Sequence, residues 1–134
     1  MSEEAVAIVE QFNAGLAESG EVRWELIDPD IDILDHDIPD AGTYHGHAGL
    51  GKWLEDWGSA WDTWEAHGAE FVDAGDVVVA VFTMIARGKG SGVSTTRRNA
   101  TVSTVRGGLI SRVEYYTTES EARASAGLSG AAEH

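Results

Sequence analysis

The chain has 134 residues with 43% hydrophobic content, enough to close one domain around one core, and its 23 acidic against 9 basic side chains leave a net charge of -14. That balance suits a soluble protein and argues against nucleic acid, whose affinity rests on Lys and Arg neutralising phosphates, and against anionic membranes. The absence of cysteine excludes a disulfide framework, a thiol nucleophile and a cysteine metal site; no apolar run approaches the roughly 18 residues of a membrane span, and the acidic start Ser2-Glu3-Glu4 is unlike a signal peptide, so cytoplasmic residence is expected.

A first helix is predicted over residues 3–18, because Ala5, Ile8, Val9, Phe12 and Leu16 form one stripe at helical spacing. Glu3 and Glu4 suit the positive end of its dipole, and Ser19-Gly20 ends it. A short helix over 21–27 breaks at Asp28-Pro29. Residues 31–37 form a short strand in which Asp35 and Asp37 share the face of Ile31 and Ile33. Two carboxylates on the apolar face of a half-buried strand need a reason, since burying charge is costly.

Residues 39–47 read as a loop. A third helix is predicted over 48–64, where Leu50, Trp53, Leu54, Trp57, Trp61 and Trp64 recur at helical spacing, the strongest periodic signal in the chain. Four strands follow, at 65–72, 77–87, 93–105 and 109–117. The turns between them are Asp73-Ala74-Gly75-Asp76, Gly88-Lys89-Gly90-Ser91-Gly92 and Gly107-Gly108, so the strands form an antiparallel meander. The second turn lacks the helix and the spacing of a phosphate loop. Thr118 to Glu121 has capping-box spacing and opens a last helix ending at Gly127. Residues 1–128 then form one domain, and 129–134 a flexible tail.

Helices segregated before a run of strands define an α+β fold. In the second strand of the meander, Val79, Val81 and Ile85 alternate with Ala80, Phe82 and Met84, so both faces are apolar. The helices cover one face. With no other element in view to cover the second, a partner subunit is expected there, giving a homodimer through the sheet.

The order and spacing of several short motifs resemble the SnoaL-like polyketide cyclase and ketosteroid isomerase superfamily, the nuclear-transport-factor-2-like cone. The motifs are Asp35-His36-Asp37, the run Gly42 to Leu50 opening the third helix, Asp73 to Val79, Val105 to Ile110, and the ending Tyr116 to Leu128. The likeness spans nearly the whole chain. It implies a cone of three N-terminal helices packed on a curved, mixed-order antiparallel sheet around one small apolar pocket, without a cofactor. Strand parity and family position together turn Asp35, Asp37, Phe82, Met84, Asn99, Thr101, Val113 and Tyr115 toward that pocket. Trp53, Trp57 and Trp61 are expected to wall it from the helix side, with Phe12 facing it from helix one. Such a tryptophan row is core packing first, and a wall for aromatic or polycyclic ligands at its inner edge.

Asp37 matches the family's general-base aspartate, which abstracts a proton alpha to a carbonyl, and Asp35 is its partner. A carboxylate that caps the following loop is the alternative. The family's oxyanion donors do not carry over: helix one offers Phe12 or Asn13 and the strand position offers Thr101, so Tyr115 or His47 must donate instead. Charges of an epoxide-hydrolase relay are replaced by Phe82, Met84 and Tyr115. His45-Gly46-His47 has the residue types of a metal site, but loop or cap histidines are the simpler reading and no metal is expected. His36 has the opposite parity and packs outside. Arg97 and Arg98 point opposite ways and read as a solvated pair, with one of them near the pocket mouth as the alternative. Two functions follow: a cofactor-independent isomerase, cyclase or lyase of a small hydrophobic carbonyl compound, or a non-catalytic binding or dimerisation module.

Overall fold

The computed structural model describes residues 2–19, 21–36, 43–59, 61–75, 77–88 and 90–128. Helix α1 (Ser2–Ser19) turns Ile8, Val9 and Phe12 onto the sheet, as its stripe predicts. The second predicted helix is only a 3-10 turn, Trp24–Leu26, and the chain is already extended at Ile27. Strand β1 (Ile27–Asp35) buries Ile27, Ile31, Ile33 and Asp35. Pro29 is tolerated in it because the ladder to its neighbour is interrupted between Ile27 and Asp32.

Within the stretch read as a loop, Thr43–His45 forms a three-residue strand, β2, paired antiparallel with β1. It is too short to carry a periodic signal. Helix α2 (Gly46–Gly58) follows, and then β3 (Trp61–Asp73), β4 (Val77–Gly88), β5 (Ser94–Arg106) and β6 (Leu109–Tyr116). The predicted third helix therefore stops six residues early, and Trp61 and Trp64 stand on a strand. Trp61 pairs with Gly88 and Trp64 with Ala86 across the β3–β4 ladder, and that long-range pairing overrides the helical spacing. So two α-helices, not three, precede the meander.

The sheet order is β2-β1-β6-β5-β4-β3. All neighbours are antiparallel except β1 and β6, which run parallel. The architecture is the α+β cone expected, with α1 and α2 on the inner face over a core that includes Ile31, Ile33, Leu50, Val78, Ile110 and Val113. Among the described residues no helix is long and apolar enough to cross a membrane. The tail at 129–134 lies outside the described residues.

Part of the outer face is covered from within the chain. Helix α3 (Glu119–Ser125) sets Ala122 against Val79, Val81, Ala100 and Val102, with Tyr116, Ala126 and Leu128 around them. The last helix thus covers Val79 and Val81 of that face, while Ile85 further along β4 stays 40% exposed. Thr118 caps α3: its Oγ1 accepts from the Glu121 backbone N–H at 3.2 Å and donates to Glu121 Oε1 at 2.9 Å. The Arg123 guanidinium, 2.9 Å from Glu119, holds that carboxyl below the usual range. An Ala122→Asp substitution buries a carboxylate in this apolar seam and is expected to cost at least about 2 kcal/mol. An unchanged urea midpoint in that variant would mean that α3 is not seated on the sheet.

Candidate functional site

Alternation along the strands sends one set of side chains to the concave face. Phe82 and Met84 of β4, Thr101 and Ser103 of β5, and Val113 and Tyr115 of β6 form the floor of a cavity of about 370 Å³. Trp64, Ala66 and Phe71 of β3 close one side, and Phe12, Asn13 and Leu16 of α1 with Trp53 and Leu54 of α2 cover it. The lining is mainly aromatic and aliphatic. Its one charged member, among the described residues, is Glu10 on the exposed side of α1.

Beside the cavity sits a connected polar cluster. Asp35 is 6% exposed and lies opposite Tyr115 in the parallel β1–β6 register. The Trp53 indole N–H donates to Asp35 Oδ2 at 2.7 Å, and the Trp53 and Tyr115 rings meet edge-on at 6.1 Å. Arg97 Nη2 donates to the Tyr115 hydroxyl oxygen at 3.3 Å, with its guanidinium carbon 5.9 Å from the centre of the Trp61 ring. A carboxylate, a phenol and a guanidinium are thereby brought together from three strands, with one indole donor from α2.

Not every residue read from the sequence reaches the cavity. Asp35 faces the interior but is not among the lining residues. Asp37 lies outside the described residues, and so does the side chain of Trp57. His47 is turned away: its Nε2–H donates to the Ile27 carbonyl at 3.0 Å and its ring meets Trp24 at 4.9 Å, so it anchors the start of α2 to β1. Trp61 is on β3, not on a helix, and packs by Arg97 instead of lining the cavity. Asn99 is fully buried on the inner face, its amide nitrogen 3.7 Å from Met84 Sδ, but is absent from the lining.

Arg97 is a further correction. It is half-buried inside the cone, while Arg98 on the outer face pairs with Glu70 and Glu119. Its odd number, shared with Asn99 and Thr101, already carried that signal, as it did for Ser103. His36 is on the outside, stacked on Tyr116 at 4.4 Å and 3.1 Å from a Glu114 oxygen. His45 meets Asp32 at 2.8 Å, a hydrogen bond that pushes its imidazole above the usual value. Among the described residues no group of three or more His, Asp or Glu is placed to hold a metal ion.

A two-layer cone with a hollow between helices and sheet is the nuclear-transport-factor-2-like fold, and solved structures agree. A protein of that fold from Burkholderia xenovorans LB400 is 26% identical, with 94% of this chain and 97% of that chain covered at a TM-score of 0.72. TerC, co-crystallised with polyporic acid, is 21% identical, with 86% and 92% covered and a TM-score of 0.72. A protein with a ketosteroid isomerase-like fold from Catenulispora acidiphila DSM 44928, in complex with trimethylamine, is 22% identical, with 90% and 92% covered and a TM-score of 0.69. No curated protein matches the chain. The SnoaL-like domain model matches residues 6–113, and the chain belongs to that family.

Proposed function

We propose that this SnoaL-like protein takes a small, largely apolar carbonyl compound into its cavity and acts on it as a cofactor-independent isomerase, cyclase or lyase, with an aspartate as general base. One observation carries the reading: the buried Asp35 carboxylate stands beside Tyr115, which lines an aromatic cavity of about 370 Å³. That volume falls within the range of about 300–1,000 Å³ of small-molecule sites. Six aromatic side chains, Phe12, Trp53, Trp64, Phe71, Phe82 and Tyr115, suit flat rings by stacking and by area buried.

The roles follow from chemistry. Trp53 fixes the orientation of the Asp35 carboxylate, which in this reading takes the proton alpha to the carbonyl. Tyr115, which lines the cavity and receives a hydrogen bond from Arg97, supplies the donor to the developing enolate in this reading. TerC, which has the same fold, was co-crystallised with polyporic acid, and this supports an organic ligand for this cavity.

The test is turnover of a panel of ring ketones by the protein and its Asp35→Asn and Asp37→Asn variants. Loss of the base is expected to lower kcat by about 10²–10⁴-fold with ligand affinity kept. Full turnover in both variants would remove the aspartates from the mechanism.

A second reading, a non-catalytic binding module, is favoured by the absence of Asp35 from the cavity lining and by the engagement of His47 with Ile27. Binding of panel compounds by the unaltered protein, with no turnover of any, would decide for it.

A further inference from the structure

We infer that the compound bound in this cavity carries two oxygen functions, one met on the sheet wall at Tyr115 and the other by the side-chain amide of Asn13 on α1. The inference rests on the small-molecule reading above and adds what the site selects for.

Asn13 lines the cavity, and its amide nitrogen is buried without a hydrogen-bond partner. Such a donor costs stability unless something satisfies it, and buried polar groups almost always find a partner. Its neighbours on the same wall, Phe12 and Leu16, are apolar, so packing alone is served by a leucine at this position. The terminal torsion of asparagine is broad, so a turn about it carries the N–H into the hollow, where an acceptor oxygen of the occupant completes it.

Tyr115 comes from the opposite layer. It lies across from Thr101 in the β5–β6 register and lines the same cavity. With α1 above and the sheet below, the two polar groups meet different edges of one occupant. The charged residue of the lining is Glu10, on α1 one turn before Asn13, so the oxygen presented to Asn13 is a neutral carbonyl and not a carboxylate.

The test uses the full chain in equilibrium dialysis against tetralin, 1-tetralone and 5-hydroxy-1-tetralone, a bicyclic frame with no oxygen, with one carbonyl, and with a carbonyl and a phenol on opposite edges. Each oxygen is expected to tighten binding about fivefold. Asn13→Leu is expected to remove one of these steps and leave tetralin affinity unchanged. It should also raise the Tm of the ligand-free protein by about 3 °C, because an unsatisfied donor is gone. Asn13→Ala removes the same step. Tyr115→Phe removes the other, and the Asn13→Leu, Tyr115→Phe double variant binds all three compounds alike. An Asn13→Leu protein that keeps the full preference for oxygen, or melts earlier, overturns the inference. Equal binding of all three compounds by the unaltered protein overturns it while sparing the pocket; failure of all three to bind overturns the pocket reading as well.

Discussion

Trp53→Ala is expected to bring the protein close to unfolding at room temperature. Trp53 is 7% exposed, packs in the main core and donates the 2.7 Å hydrogen bond to Asp35. Truncating a buried tryptophan to alanine costs about 3–5 kcal/mol. Removing the donor from a buried carboxylate adds about 1–3 kcal/mol. Domains of this kind hold only about 5–15 kcal/mol in total, so the sum consumes much or all of it.

Trp53→Phe separates the two contributions, since it keeps most of the buried ring and loses only the N–H, for an expected cost of about 2 kcal/mol. Combined with Asp35→Leu, a double-mutant cycle should show a coupling of about 1–2 kcal/mol between the two positions. Urea denaturation of the four proteins measures all of this. Additive losses in the cycle would mean that the indole and the carboxylate are not partners.

Ala66→Phe is expected to abolish ligand binding while leaving the fold intact. Ala66 on β3 lines the cavity and lies opposite Met84 in the β3–β4 ladder, so a ring grown from its Cβ fills the hollow that a ligand needs. Filling a cavity commonly adds about 0.5–2 kcal/mol, so the Tm should hold or rise. Affinity for any cavity ligand, such as 1-tetralone, should fall at least about 100-fold, because the occupant and the new ring compete for one volume. A variant that melts normally and still binds with unchanged affinity places the ligand elsewhere on the protein. Trp53→Ala and Ala66→Phe thus press on the same cavity in opposite ways: one empties a wall and loses stability, the other fills the space and loses the ligand.

Much of this molecule was legible from local spacing. The α1 stripe, the hairpin turns, the capping box at Thr118 and the inward face of Asp35 all follow from side-chain periods of 3.6 and 2, which are properties of a few consecutive residues. The same parity applied one step further along β5 reaches Arg97 and Ser103. What resisted was whatever depends on pairing between distant segments. The tryptophan row from Trp53 to Trp64 fits a helix at every position, yet Trp61 and Trp64 belong to β3, because the ladder with β4 satisfies their backbone groups. Strand β2 exists only because β1 offers it partners.

His47 has a chemistry readable from its type, but its commitment to the Ile27 carbonyl comes from the approach of α2 to β1. The cover over Val79 and Val81 is supplied by a seven-residue helix that packs back across the sheet, a contact no local pattern encodes. The sequence by itself therefore determined α1, the hairpin turns, the last helix, the family and the inward-facing carboxylate. The tertiary structure alone decided which groups stand together in the cavity, because burial and hydrogen-bond partnership are settled between segments far apart in the chain.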